Sequence, residues 1–289
     1  MTEKATVNLK DLVADWHPEP TSEFDELDPA QARRLAAALD QPEPFDNGDR
    51  LPLTWQWIYF GQWPPTSALG ADGHPADGHF LPPLPHRRRM FAGARMTATA
   101  PMLLGTRTEK CSHVTAVTEK HGRSGAMLFV TVRNTYRQNG TDILVEDQDL
   151  VYRSDSGRPT PAPHHRPERH PAGAPWSAEP APGPTTLFRY SALTANAHRI
   201  HYDHPYATGV EGYPDLVVHG PLLATYLAEL ARRNNSGTPL RSFDFRLRKP
   251  VFAGDPFRIE GTPGADGTVL LGVVSGIDTI HVSGTGELA

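Results

Sequence analysis

The sequence predicts an α+β fold in which antiparallel strands outnumber helices. Three β-rich stretches follow one another between residues 108 and 153, and Asn139-Gly140 between the last two is a strong hairpin signal. A helical run begins at Gly220, because leucine and tyrosine recur there at helical spacing. An antiparallel meander, a helix and a second set of strands are therefore expected in that order. The second set is predicted near residues 241–249, 257–261, 269–275 and 279–287.

The N-terminal half contains two further elements before the meander. Asp28 is a suitable N-cap for a helix that starts at Pro29, with Gln31 near its third position. Residues 51–60, LPLTWQWIYF, are bulky and aromatic. They predict either a buried helix or one wall of a substrate pocket.

A proline-rich and glycine-rich stretch separates the two halves of the chain. Residues 154–184 break every periodicity and are expected to form a semi-extended, solvated linker. This division predicts an N-terminal domain over residues 1–153 and a C-terminal domain over residues 185–289. The C-terminal domain is expected to open with a strand at residues 186–191.

Composition narrows the classes of function. The net charge of −5 argues against a nucleic-acid partner. The N-terminus lacks the apolar stretch of a secretory signal, and no run approaches the ~20 apolar residues of a spanning helix, so a membrane role is not expected. The single cysteine, Cys111, excludes an internal disulfide and favours a cytoplasmic location.

The histidine content of 14 raises the question of a metal site. His198, His201 and His204 are spaced at i, i+3 and i+6, so they cannot all face one ion from a single helical face. The sequence also lacks cysteine pairs and an H-E-x-x-H helix. No metal is therefore expected.

The start of the predicted helix at Gly220-Pro221 has chemical potential. Proline suits the first helical position, and the bare glycine lets an oxygen atom approach the unpaired N–H groups of the helix start. Such donors can stabilise an oxyanion, a contribution of roughly 3–4 kcal/mol in other enzymes. The alternative is an ordinary core helix.

Asn196 and His201 lie five residues apart on a predicted turn that precedes this helix. An imidazole can take a proton from water near neutral pH, and a nearby amide can hold that water in line. The alternative is that the histidines here are polar surface residues, which is the favoured interpretation for His204.

Several blocks of the sequence resemble one enzyme family. The spacing from Asn196 to His201 resembles the D-x-N-P-x-H signature of MaoC-like hydratases, and VVHGPLLA resembles the start of their central helix. RYSALTANAHRIHYD and EGYPDLVVHGPL are closer to the branch that contains hydroxyacyl-thioester dehydratase type 2 and the mesaconyl-C4-CoA hydratases. RRRMFAGARM, GRSGAMLFVTVR and FRLRKPVFAGDP extend the resemblance over most of the chain.

This resemblance implies a tandem, or double, hot-dog fold, in which antiparallel sheets wrap around central helices. It also implies reversible hydration of an α,β-unsaturated acyl thioester, on an acyl group such as the branched dicarboxylic one of mesaconyl-C4-CoA. His201 would act on water, Asn196 would position that water, and Gly220 would hold the thioester carbonyl. The wider group has aspartate where this chain has Asn196, and an amide cannot be a general base. Asp203 and His219 are expected to support the site.

Two basic clusters are candidates for the phosphates of coenzyme A or of a carrier-protein arm. A solvated basic turn is the alternative for the first cluster. Strand alternation would place Arg246 and Arg248 on one face, with Lys249 on the other. The clusters are Arg87, Arg88 and Arg89 in the first half, and Arg246, Arg248 and Lys249 in the second.

The implied reaction needs no metal or redox cofactor, and the family resemblance implies a homodimer. Two other functions fit the same fold. A thioesterase would release free thiol, whereas a non-catalytic acyl-thioester-binding subunit would bind substrate without turning it over.

Overall fold

A computed structural model describes residues 8–41, 44–122, 125–154, 164–236 and 239–288. Its described strands form one ten-stranded antiparallel sheet in the order β1-β3-β4-β5-β2-β7-β10-β9-β8-β6. The strands are β1 (Thr21–Asp25), β2 (Arg87–Ala98), β3 (Thr108–Gly122), β4 (Gly125–Gln138), β5 (Thr141–Ser154), β6 (Trp176–Ala178), β7 (Leu240–Leu247), β8 (Arg258–Pro263), β9 (Thr268–Ser275) and β10 (Thr279–Leu288). The helices are α1 (Pro29–Ala38), α2 (Pro184–Leu193), α3 (His204–Gly209) and α4 (Gly220–Asn234).

The predicted meander is confirmed. β3, β4 and β5 pair in sequence, and Asn139 and Gly140 close the β4–β5 hairpin with φ values of 51° and 78°. Both residues are in the left-handed region that a two-residue hairpin turn favours. In β4, every second residue from Leu128 to Gln138 is buried, as the two-residue period of a strand requires.

β2 and β7 join the two five-stranded halves of the sheet. Gly93 lies at a bulge in β2 opposite Arg246, with φ of 150°. A Cβ atom at Gly93 would lie 2.2 Å from the carbonyl oxygen of Phe245. Only glycine therefore allows the two backbones to approach this closely.

α4 packs on the sheet, and α1 packs against α2. The Asp28 side chain accepts a hydrogen bond from the Ala30 N–H and Pro29 opens α1, so the predicted cap is confirmed. α4 also begins at its predicted residue, and it packs against β7, β8 and β9. Its residues 222–231 are all buried, which is typical of a central helix.

One prediction about residues 154–191 is wrong, and a second is wrong only at a short strand. The predicted strand at residues 186–191 lies within α2, where Leu187, Tyr190 and Ser191 are buried at helical spacing behind Pro184. The predicted linker contains β6, which pairs with β8, and Gly261 leaves room there for the Trp176 indole. Residues 155–163 of the predicted linker lie outside the described residues.

One hydrophobic cluster includes residues from both halves, among them Trp55, Met96, Leu222 and Phe243. The division into domains at residues 153 and 185 stays a prediction, since the sheet itself continues from β2 to β7. Within the described residues, no helix has the length and apolar character needed to cross a membrane.

The close approach at Gly93 yields a stability prediction. Gly93→Ala should lower the free energy of unfolding by roughly 2–4 kcal/mol, because the new methyl group strains the β2–β7 pairing. Urea denaturation measures this loss. Gly272→Ala in β9 is the matched control, since its Cβ would have its nearest neighbour at 3.6 Å. Equal effects of the two substitutions would contradict the role of Gly93.

Candidate active site

A cavity of about 990 Å³ contains residues of both halves in its lining. The N-terminal half contributes Trp57, Phe60 and the loop around His74, and the C-terminal half contributes Asn196, His201 and the start of α4. Both interpretations of residues 51–60 hold in part: Trp55 is fully buried in a short 3₁₀ helix, whereas Trp57 and Phe60 line the cavity.

Asn196 is positioned by the end of α2. Ala195 has a left-handed φ of 52°, and the Asn196 N–H then bonds back to the Ser191 carbonyl at 2.9 Å. The Asn196 Oδ1 accepts a hydrogen bond from the His198 N–H at 3.1 Å. With Oδ1 engaged by the backbone, the Nδ2 group is the part of the amide suited to hold a water molecule.

His201 is buried at the end of a 3₁₀ helix (Arg199–His201), and its ring lines the cavity. Its Nδ1 lies 2.7 Å from the Val217 carbonyl oxygen, so Nδ1 carries the proton in the neutral ring. This tautomer leaves Nε2 as the basic nitrogen. Burial lowers the pKa of His201 to about 4, which keeps the ring neutral at pH 7.

His219 stacks on His201 with ring centroids 3.7 Å apart. Its Nε2 lies 2.9 Å from Ser191 Oγ, and its Nδ1 has no hydrogen-bond partner among the described residues. Burial places the pKa of His219 well below its ordinary value. A permanently neutral ring that packs flat against His201 restricts the orientation of the catalytic candidate.

Gly220 is the first residue of α4 and lines the cavity, as predicted. A Cβ atom at this position would lie 2.2 Å from Cδ1 of Leu247. The glycine therefore lets the positive end of α4 lie directly against the β7 side of the cavity. Asn196, His201 and Gly220 thus line the same cavity.

Asp203 does not support His201 in the expected way. Its carboxylate accepts hydrogen bonds from Arg199 at 2.7 and 3.0 Å, and also caps α3 through the Tyr206 N–H. The Arg199 hydrogen bonds lower the pKa of Asp203. The partner of His201 is the Val217 carbonyl, which the sequence pattern did not reveal.

The basic clusters divide between structural and cavity positions. Arg87 donates to the carbonyls of Pro82 and Ala76, and Arg246 pairs with Asp149, so both have structural partners. Arg88 lies 3.9 Å from Glu211. Arg89, Arg248 and Lys249 line the cavity. The predicted separation of Arg248 from Lys249 by strand alternation is wrong, because β7 ends at Leu247.

Asp72 and His74 also belong to this region, although no pattern in the sequence predicted them as site residues. Their loop contacts the catalytic turn: the Arg199 N–H donates to the Asp72 carbonyl at 2.8 Å, and a Cβ at Gly73 would overlap the Ala197 carbonyl oxygen at 1.8 Å. The Asp72-Gly73-His74 sequence could have indicated them, because an aspartate side chain often hydrogen-bonds to the backbone two residues later in a turn.

Asp72, His74 and His198 have metal-capable atoms within 4.8 Å of one another. The rings of His74 and His198 are tilted relative to each other, with centroids 4.1 Å apart and planes 35° apart. A shared zinc ion would require Zn–N distances of about 2.0–2.1 Å to both rings. One nitrogen of His74 is already hydrogen-bonded to Asp72, so these residues contact one another without an ion.

Comparisons with known proteins identify the family of this chain. The profile of hydroxyacyl-thioester dehydratase type 2 matches residues 54–253. The mesaconyl-C(4)-CoA hydratase of Chloroflexus aurantiacus is 45% identical over 243 residues, which cover 84% of this chain and 86% of that protein. The chain belongs to the hydroxyacyl-thioester dehydratase type 2 family. It is therefore a hydro-lyase that hydrates or dehydrates acyl-CoA thioesters.

Solved structures confirm the hot-dog fold. A MaoC-like dehydratase from Phytophthora capsici has a TM-score of 0.68 at 14% identity, covering 98% of this chain and 99% of that one. HtdX from Mycobacterium tuberculosis has a TM-score of 0.64 at 17% identity, with coverages of 93% and 98%. At these identities the likeness concerns the fold alone.

The buried imidazoles predict a loss of stability in acid. The pKa of His201 is lowered from 6.5 to about 4, so between these pH values the unfolded chain binds a proton that the folded chain does not. This contribution is complete above pH 6.5 and falls by about 1.4 kcal/mol per pH unit below it. Urea denaturation from pH 7 to 5 should show a shallower pH slope for His201→Gln. His204→Gln, at an exposed ring, is the control and should keep the wild-type slope.

Proposed function

We propose that His201, Asn196 and Gly220 catalyse reversible hydration of an α,β-unsaturated acyl-CoA thioester. The observation that carries this proposal is the hydrogen bond from His201 Nδ1 to the Val217 carbonyl, which leaves a basic Nε2 on a ring that lines the cavity. A hydration site needs such a base, a group that holds water and a donor for the enolate oxygen.

In hydration, the water oxygen bonds to Cβ while one of its protons moves to His201 Nε2. The amide of Asn196 holds the water in line with Cβ. The π electrons of the double bond shift toward the thioester carbonyl, and the Gly220 N–H donates to the resulting enolate oxygen. In dehydration, His201 returns a proton to the leaving hydroxyl. Because residue 196 is asparagine and not the aspartate of the wider group, the His201 imidazole is the base of this turn.

The reaction adds or removes water and changes no oxidation state overall. We propose that it proceeds without a metal or redox cofactor, and that coenzyme A enters only as part of the substrate. The exposed Arg248 and Lys249 on the cavity lining suit its phosphates. Arg248 Nε donates to Ser283 Oγ at 2.9 Å, which steadies the guanidinium.

We propose a branched dicarboxylic acyl group, as in the substrate that names the Chloroflexus relative. The mesaconyl-C4 thioester carries a free carboxylate on its β-carbon, so a cation is needed near the reacting atoms. Arg89 lines the cavity, is half-buried, and its charge contributes to lowering the pKa of His198. Burial is the larger cause of that shift. Arg89 therefore suits the substrate carboxylate better than the outer phosphates.

We also propose that carrier-protein thioesters are substrates and that the protein forms a homodimer. The family resemblance alone supports these two points. Matched acyl-CoA and acyl-carrier thioesters in one assay test the first. Sedimentation equilibrium tests the second, with a mass near 31.7 kDa speaking against a dimer.

His201→Ala should lower the hydration rate of mesaconyl-C4-CoA and crotonyl-CoA by at least ~10²-fold, because the general base is removed. Mass spectrometry follows hydrated product and free thiol together. His204→Ala is the matched control. Thiol release by the wild type without hydrated product would identify a thioesterase, and binding without either product would indicate a non-catalytic subunit.

Arg89→Gln should raise KM for mesaconyl-C4-CoA roughly 10–100-fold relative to crotonyl-CoA, because one charge-assisted hydrogen bond contributes about 1.5–3 kcal/mol. Arg248→Gln is the comparison, since loss of a phosphate contact should weaken both substrates alike. Equal effects of Arg89→Gln on the two substrates would indicate that Arg89 binds the phosphates of coenzyme A and not the substrate carboxylate.

A further inference from the structure

The loop that carries Asp72 and His74 comes from the N-terminal half, yet its backbone is attached to the catalytic turn. The Asp72 carbonyl accepts from the Arg199 N–H at 2.8 Å, and the Ala71 carbonyl accepts from the Arg199 guanidinium at 2.9 Å. Gly73 is buried and makes the closest approach to the turn. This loop is thus fixed relative to His201 by several contacts.

Asp72 orients His74 with both carboxylate oxygens. Oδ2 lies 3.0 Å from His74 Nδ1, and Oδ1 accepts from the His74 N–H at 3.0 Å. Burial opposes ionisation of Asp72, but the hydrogen bond and charge of His74 outweigh it and lower the carboxyl pKa to about 2. An ionised carboxylate on Nδ1 leaves Nε2 of His74 as the nitrogen that exchanges protons.

The His198 ring is a neighbour of both other imidazoles. Its centroid lies 4.1 Å from that of His74 and 5.5 Å from that of His201. His74, His198 and His201 all line the same cavity. His201 and His74 thus line one cavity with different hydrogen-bond partners, a carbonyl at His201 and a carboxylate at His74.

Hydration requires two proton transfers, one from the water oxygen and one to Cα. One proton leaves water as oxygen bonds to Cβ, and one proton must reach Cα to quench the enolate. Asn196 cannot supply the second proton as an acid, because an amide does not ionise in this range. A second acid–base group must therefore come from another segment, or His201 must perform both transfers.

We propose that His74, held by Asp72, is the second acid–base group of this site. The inference rests on the proposed hydration. In that direction the His74 Nε2–H bond breaks and the Cα–H bond forms, while His201 keeps the proton taken from water. Proton exchange with solvent then returns both rings to their starting states, so the net change is addition of one water. In dehydration, His74 removes the Cα proton.

The charged and titratable groups around His74 and its neighbour His198 belong to three segments. Asp72 lies on the loop of His74, Arg89 lies on β2, and the catalytic turn carries His198, Arg199 and His201. Asp72 is the one of these five that carries negative charge. Loss of this carboxylate removes the group that orients the His74 ring, so Asp72→Asn should lower the rate of Cα proton transfer.

The test uses the full chain with His74→Gln, His74→Ala and Asp72→Asn. The control is His164→Gln, which breaks a second histidine–aspartate pair, His164 to Asp255 at 3.0 Å, whose members are not on the cavity wall. Thermal melting confirms that each variant is folded. Hydration of mesaconyl-C4-CoA gives kcat. Exchange of the Cα hydrogens of butyryl-CoA in D₂O, followed by NMR, reports Cα proton transfer without water addition.

We expect His74→Gln to lower both kcat and Cα exchange by at least ~10²-fold, with KM changed much less. Added imidazole should restore activity to His74→Ala, and Asp72→Asn should lower Cα exchange because His74 loses the carboxylate that orients it. The control should retain wild-type rates. A merely structural role for His74 would show no imidazole rescue, and would overturn the proposal.

Two other results also overturn the proposal. Wild-type Cα exchange in folded His74→Gln would assign both transfers to His201. One equivalent of bound zinc in the purified protein, lost in His74→Gln together with chelator-sensitive activity, would make the Asp72–His74–His198 group a metal site. If the wild type exchanges Cα hydrogens and His74→Gln does not, yet the wild type hydrates no enoyl-CoA, the proposed function fails while His74 stands as the group that transfers the Cα proton.

Discussion

The backbone pairing between β2 and β7 is the constraint on which the rest of the structure depends. It joins two five-stranded halves into one sheet, and a bare Gly93 allows that junction because a side chain would overlap the Phe245 carbonyl. The cavity takes lining residues from both halves, so its composition depends on this junction. The cavity wall combines the catalytic turn of the second half with the Asp72 loop of the first.

Burial determines the protonation of the site. His201 and His219 are stacked away from water, and desolvation lowers the pKa of both rings. Neutral imidazoles cost less to bury than charged ones, and a single carbonyl at Val217 then selects which nitrogen of His201 is basic. The same burial that keeps the His201 ring neutral, and so able to accept a proton, also makes the folded state sensitive to acid.

The charged residues of the cavity differ in exposure. Arg248 and Lys249 are exposed, Arg89 is half-buried near the histidines, and Asp72 pairs with His74 beside them. A hot-dog fold alone does not separate a hydratase from a thioesterase, since the difference is whether water is directed at Cβ or at the carbonyl carbon. That distinction depends on where the basic nitrogen lies relative to the α4 terminus and the bound thioester.

The sequence by itself determined the family, the meander, the α4 start and the grouping of Asn196, His201 and Gly220, because these follow from local periodicity and contiguous blocks. It misassigned α2 as a strand because a short apolar run fits both periods until burial separates them. Only the tertiary structure decided the partners: His201 with Val217, Asp203 with Arg199, and the Asp72–His74 pair beside His198. These contacts join segments distant in sequence or depend on side-chain direction, which a linear pattern does not contain.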